Sequence, residues 1–160
     1  MRGFEKISEK QFNIDVKDGN YMDIILPERK TKSSAGYDFH LIKDITLAPN
    51  QTMRIPLGVK VFMPENEYLG IYIRGSVGFK FNVRLCNQVG IIDSDYYNNP
   101  DNEGHMWIAI HNHGQEASKM KKGESIAQGI FATYNIASND NVDNERTGGF
   151  GSTNKEVKNA

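Results

Sequence analysis

Residues 52–63 read TMRIPLGVKVFM, and the apolar side chains Met53, Ile55, Leu57, Val59, Val61 and Met63 occupy every second position until Pro64 stops the run. A period of two is the signature of a strand with one buried face, because successive side chains point to opposite sides of the pleat. The stretch therefore predicts one long strand, entered from the turn signal APNQT. The same alternation recurs upstream at Tyr37, Phe39, Leu41, Ile45 and Leu47, with Asp38, His40, Asp44 and Thr46 on the face expected to meet solvent. Downstream it returns at Leu69, Ile71 and Ile73, at Met106, Ile108 and Ile110, and at Ile126, Ile130, Ala132, Tyr134 and Ile136. No window of helical length sustains a period of 3.6, although the segment after Arg74 has room for a short helical turn. Many short strands separated by Gly, Pro and Asn turns predict an all-β sandwich, barrel or jelly roll.

Composition restricts what such a domain can bind. The 160 residues suffice for one domain with a proper core. We place that domain at residues 1–138 and read the polar, glycine-rich residues 139–160 as a flexible C-terminal arm. Lysine plus arginine number 19 against 20 acids, a net charge of -1. No global field attracts a nucleic-acid backbone or a membrane surface, so any anion site must be local. No apolar core follows the N-terminal MRGFEKISEK, and no stretch reaches the roughly 18 apolar residues of a membrane helix. The single cysteine, Cys86, has no internal disulfide partner and reads as a small buried hydrophobe. Together these features predict a cytoplasmic protein.

Five islands stand out against the strands. Ala35-Gly36-Tyr37-Asp38 puts a glycine and an acid at a strand start. Arg74-Gly75-Ser76 ends an apolar strand with a fork of donors and small residues, a combination suited to a phosphate chain. In residues 90–96, GIIDSDY, an acid closes an apolar run with an aromatic ring three positions later, so that a carboxylate can stand beside a sugar lying on Tyr96. GESIAQ, residues 123–128, places an amide on a strand. RTGGFGST, residues 146–153, sets one aromatic ring among glycines and hydroxyls beyond the last strand. Taken singly, each has an ordinary structural reading.

Their order changes that reading. The series AGYD, RGS, GIIDSDY, GESIAQ and RTGGFGST resembles the five motifs of the homotrimeric dUTPase family, in sequence order from about Ala35 to Thr153. The resemblance implies a jelly-roll-like β-barrel of the dUTPase type with a flexible C-terminal arm. It also implies a homotrimer with sites built from more than one subunit, and Mg²⁺-dependent hydrolysis of dUTP to dUMP and pyrophosphate, which limits uracil in DNA and supplies dUMP for dTMP synthesis. Carried over by motif, Asp93 orients and activates the attacking water. Tyr96 packs under the deoxyribose and leaves no room for a 2′-hydroxyl. Asn87 and the backbone from 87 to 92, including Gly90 and Ile92, read the uracil edge. Asp38 holds metal-bound water rather than the metal. Arg74, Gly75, Ser76 and Gln128 contact phosphates, Phe150 covers the base, and Arg146, Gly151, Ser152 and Thr153 close over the γ-phosphate.

The chain departs from the family pattern at Gly75, where Ser is usual, at Ser125, where Arg is usual, and at Asn154, where Gly is usual. The Arg146-to-Phe150 spacing is one residue short. The loop NNPDNEGH after Tyr97 reads as an insertion without an assigned role. His111 and His113 read as turn residues rather than metal ligands, Lys119 to Lys122 as a solvated turn, and Trp107 as core or subunit interface. A rival reading is a dCTP deaminase on the same fold, for which Glu103 is the nearby candidate base. Another is a regulatory protein that contacts a macromolecular partner through the insertion or the last residues.

Overall fold

Alternation in the sequence is realised as short antiparallel strands. The computed structural model describes residues 1–151. The chain runs through β1 (Gly3–Lys6), α1 (Glu9–Asp15), β2 (Tyr37–His40), β3 (Ile45–Leu47), β4 (Thr52–Pro56), β5 (Val59–Phe62), β6 (Glu67–Ile73), α2 (Gly75–Phe81), β7 (Val83–Leu85), β8 (Gly90–Asp93), β9 (Trp107–Asn112), β10 (Ser118–Met120) and β11 (Ser125–Thr133). The sheets are β2-β11-β6-β8, β4-β9-β7, β1-β5 and β3-β10. All their pairings are antiparallel. This is the expected all-β, jelly-roll-like architecture, and its buried side chains form one contiguous core.

The run 52–63 is not one strand. Gly58 lies between β4 and β5 with φ at +72°, a left-handed conformation that costs glycine nothing. A Cβ there would stand 2.8 Å from Ile24 Cγ1. Beyond this break the alternation continues, but β4 pairs with β9 whereas β5 pairs with β1. One apolar pattern thus serves two sheets, which period alone cannot reveal.

Three other expectations change. Asp38 and His40, assigned to a solvent face, are only 5% and 7% exposed. Alternation marks which face is apolar, not whether polar neighbours such as the Arg74 guanidinium cover the other. Strand β11 ends at Thr133, its last partner being Glu67, so Tyr134 and Ile136 lie outside the sheet and are exposed. Cys86, expected to be buried, is exposed in the turn after β7. Helix α1 was not anticipated at all. Its signals are local: the Ser8 side chain accepts from the Gln11 amide at the N-cap, and Ile7 and Phe12, flanking that cap, are both fully buried.

Strand β11 lies between β2 and β6 and so carries the core of the largest sheet. Gly129 allows this closeness, because a Cβ there would lie 2.8 Å from Phe39 Cε2 and 3.0 Å from Leu69 Cδ1. Phe39 also packs edge-on against Phe4 of β1, with ring centroids 5.7 Å apart. Gly129→Ala should therefore overpack this junction and lower unfolding stability by about 1–3 kcal/mol. Denaturant titration reads the result, and a midpoint equal to that of the parent would show that the core yields freely at this point.

Candidate functional site

The motif residues fall into two groups. The first sits where β2, β11 and the end of β6 meet. Asp38 and Gln128 are direct cross-strand partners, and Gln128 also faces Tyr72 of β6. Gly36 is required beneath them, because a Cβ there would collide with the Gln128 side chain, including its Cβ at 3.0 Å. The Arg74 amide donates to the Ile126 carbonyl at 3.0 Å, which fixes the arginine at the strand end. Its Nη1 stands 3.0 Å from Asp38 Oδ2, yet that oxygen is buried without a hydrogen bond. The pair is therefore electrostatic and off the N–H direction, so Asp38 keeps unused accepting capacity. Gly75 and Ser76 are exposed beside it.

The second group surrounds the turn between β7 and β8, strands that belong to different sheets. A cavity of about 570 Å³ opens there, with Ile71, Leu85 and Ile92 as apolar lining, Asn87 in the turn and Gly90 at the start of β8. This size and mixture suit a nucleoside. A Cβ on Gly90 would press on Ile71 at 3.3 Å. Phe150 of the arm also lines the cavity, and its ring lies 5.8 Å from that of Tyr96. Asp93, at the end of β8, is exposed, whereas Tyr96 is buried. Burial raises the Tyr96 pKa above the ordinary tyrosine value, so the phenol stays neutral and donates to the His105 carbonyl at 3.2 Å.

The two groups are far apart within one chain. Asp93 pairs with Tyr68 on β6, while Arg74 lies six residues further along the same strand direction. At strand rise this separates them by about 20 Å. One copy of the chain does not bring Asp93 and Arg74 to the same atom.

The structure adds residues that sequence reasoning passed over. The insertion after Tyr97 packs against Tyr96: Asn99 Nδ2 donates to the Tyr96 carbonyl at 2.8 Å and Asn102 Nδ2 to the Tyr96 hydroxyl at 2.9 Å. Glu103 accepts from the amide and hydroxyl of Ser8 at 2.9 and 2.6 Å, so it anchors the start of α1 rather than facing the cavity. Those two bonds hold its carboxyl below the usual glutamate pKa. Asp15, on α1, lines the cavity together with Trp107. Only the unexpected helix carries Asp15 there, and the Ser8 cap was the signal that could have found it. His111 and His113 pack ring to ring, 4.4 Å between centroids, and His111 shares a hydrogen bond with Thr52.

The arm residues up to Gly151 lie on this second group. Arg146 Nη2 donates to Asp93 at 2.9 Å and its Nε to Asp95 at 2.8 Å. Its guanidinium also stands over the Tyr96 ring, 5.6 Å from the centroid. The Gly149 amide donates to Asp101 at 2.8 Å. Gly151 is left-handed, with φ at +74°. Ser152 and Thr153 lie outside the described residues.

Comparison with known proteins identifies the relatives of this arrangement. A family model described as dUTPase matches residues 22–154. The deoxyuridine 5'-triphosphate nucleotidohydrolase of Lactococcus lactis subsp. lactis (strain IL1403) is 41% identical over 156 residues, covering 96% of this chain and 97% of its own. A crystal structure of dUTPase from Streptococcus mutans superposes with a TM-score of 0.72 at 33% identity, over 85% of this chain and 98% of that one. The dUTPase of Staphylococcus bacteriophage 80alpha, in complex with dUPNHPP, shares the fold with a TM-score of 0.68 at 21% identity, over 95% of this chain and 97% of that one.

His105 joins the pieces of the second group, and its chemistry predicts a pH dependence. The ring is fully buried, Nε2 accepts from the Gly58 amide at 3.0 Å, and Nδ1 meets Asp15 Oδ2 at 2.6 Å. Burial, outweighing the nearby Asp15, pushes its pKa below the ordinary histidine value. His40 is lowered in the same direction, by burial and then by the charge of Lys30. Below about pH 6.5 the unfolded chain takes up protons that the folded chain refuses. Stability is therefore full above that pH and declines as pH falls through it. The melting temperature should drop between pH 7.5 and 5.5, and His105→Gln, which keeps an acceptor and a donor, should flatten the decline. An equally steep slope in His105→Gln would remove His105 as its source.

Proposed function

Because the chain belongs to the dUTPase family, we propose that it hydrolyses dUTP to dUMP and pyrophosphate at sites shared between copies of a homotrimer. The observation that carries the reading is the cavity at the β7–β8 connection, lined by Ile92 and Phe150, with Tyr96 against the Phe150 ring and Asp93 next in sequence to Ile92. Uracil is held edge-on by the backbone from 87 to 92 and by Asn87, in the way one strand pairs with another. Deoxyribose rests on Tyr96, whose ring fills the place of a 2′-hydroxyl. Asp93 then stands beside the α-phosphate, where its carboxylate takes the proton of the attacking water as pyrophosphate leaves.

Triphosphate contacts come from Asp38, Arg74, Ser76 and Gln128 of a second copy, since in the same copy Arg74 lies about 20 Å from Asp93 along β6 and Gln128, opposite Tyr72, about 13 Å. Mg²⁺ suits the residues present. Among the described residues no cluster of three or more acids, histidines or cysteines forms a protein cage. The spare accepting capacity of Asp38 fits a water of an ion that travels with the nucleotide. Such an ion supplies charge neutralisation along the triphosphate. Arg146 now bridges Asp93 and Asp95, carboxylates that are 56% and 55% exposed. Exposed pairs of this kind are worth about 1 kcal/mol or less, so a γ-phosphate, which Ser152 and Thr153 also serve, can draw the arginine away. Glu103 is committed to Ser8, so the deaminase reading lacks its base. No helix among the described residues is long and apolar enough to cross a membrane, and we place the enzyme in the cytoplasm with its nucleotide substrate.

Asp93→Asn keeps the shape but cannot take a proton. Its turnover of dUTP should fall by roughly 10²- to 10⁴-fold while a non-hydrolysable analogue still binds. Near-normal turnover would take Asp93 out of the mechanism. Sharing between copies is tested by refolding Asp93→Asn chains together with Arg74→Ala chains. Each is inactive alone, and the mixture should regain about a quarter of its sites, the statistical share when two residues are drawn from different subunits. A mixture as inactive as its components would confine the site to one chain.

A further inference from the structure

We propose that the insertion at residues 99–105 is a specificity-determining element of this enzyme, with Asn102 setting the position of Tyr96 and Asp101 seating the arm. The proposal rests on the reading that Tyr96 supports the deoxyribose.

The segment is built to be rigid. Asn99 Oδ1 accepts from the amides of Asp101 and Asn102 at 3.1 and 3.3 Å, and the Glu103 amide returns to the Asn99 carbonyl at 3.0 Å. Asn102 Oδ1 accepts from Asn99 Nδ2 at 2.8 Å and from the Gly104 amide at 3.1 Å. Gly104 is left-handed, φ +81°, and a Cβ there would stand 2.7 Å from the Tyr96 carbonyl oxygen. The segment therefore approaches the Tyr96 backbone more closely than a side chain permits. Its outer end is tied to α1 through Glu103 and Ser8.

Within this frame the Tyr96 hydroxyl has two fixed partners, receiving from Asn102 Nδ2 at 2.9 Å and donating to the His105 carbonyl at 3.2 Å. A buried phenol with both roles satisfied has little freedom to tilt. A 2′-hydroxyl would have to fit against this ring, so what fixes the ring also fixes discrimination against ribonucleotides. The arm touches the same unit. Gly149 donates to Asp101, and a Cβ on Gly149 would lie 3.6 Å from Asn102 Nδ2. Gly148 and Gly149 are buried although the residues just before them are largely exposed. Asp101 and Asn102 thus place the seat of the arm next to the brace of Tyr96, and closure and sugar selection share one rigid segment.

The experiment has one arm that reads catalysis and one that does not. Asn102→Ala should raise the kcat/KM for UTP relative to dUTP roughly tenfold, the factor carried by one hydrogen bond to a buried group. The control is the parent enzyme, whose failure to hydrolyse dUTP would count against the function itself and not against the insertion. In nucleotide-free protein, Asp101→Ala should speed tryptic cleavage after Arg146 roughly tenfold, as the charge-assisted bond to Gly149 is lost. Asp101→Asn, whose amide oxygen still accepts, should restore most of the protection. An unchanged UTP-to-dUTP ratio in folded Asn102→Ala protein overturns the brace. Cleavage as slow in Asp101→Ala as in the parent overturns the seat.

Discussion

A single buried imidazole ties together the segments around the cavity between β7 and β8. His105 fills the gap between the strand switch at Gly58 and the end of α1, accepting from one and meeting the carboxylate of the other. Its own carbonyl receives the Tyr96 hydroxyl. The backbone on either side repeats the connection, with Leu57 donating to the Met106 carbonyl and Met106 to that of Val59. An uncharged ring satisfied at both nitrogens suits this place, since a charged one would have to be desolvated. Three segments distant in sequence therefore share one small polar joint.

The second constraint is the course of β6. It pairs with β11 along one edge and with β8 along the other. Arg74 thus follows its C-terminal end, and Asp93 lies opposite its N-terminal part. A rigid strand cannot fold back on itself, so one copy keeps the two groups apart. Assembly in this reading is a consequence of strand geometry rather than an addition to it. In the proposed site the cavity offers the apolar contact and a second copy the charged residues.

The C-terminal segment is held by modest contacts. Arg146 is held by two half-exposed carboxylates, Gly149 by one, and Phe150 by a tilted contact with the Tyr96 ring. None of these contacts is large, and together they favour a closed position without locking it. The rigid insertion beneath supplies the precision that a glycine-rich arm lacks.

Sequence alone determined the all-β class, the strand bearing Ile71 and Ile73, the short helix after Arg74, and the five islands whose residues meet in two groups. Period-two alternation and side-chain chemistry are local properties, and they were legible for that reason. Tertiary structure decided the rest. It split residues 52–63 at Gly58, because pairing partners are chosen by neighbours that the run does not contain. Asp38 and His40 became buried because other segments cover their face, and Cys86 became exposed because its turn rims a cavity. Helix α1, seven residues long, was too short for a period to show, so Asp15 and its pairing with His105 stayed hidden. The insertion NNPDNEGH carried no periodic signal at all. Its meaning comes from side-chain hydrogen bonds to Tyr96 and Gly149, which exist only once residues far apart in the chain are packed together.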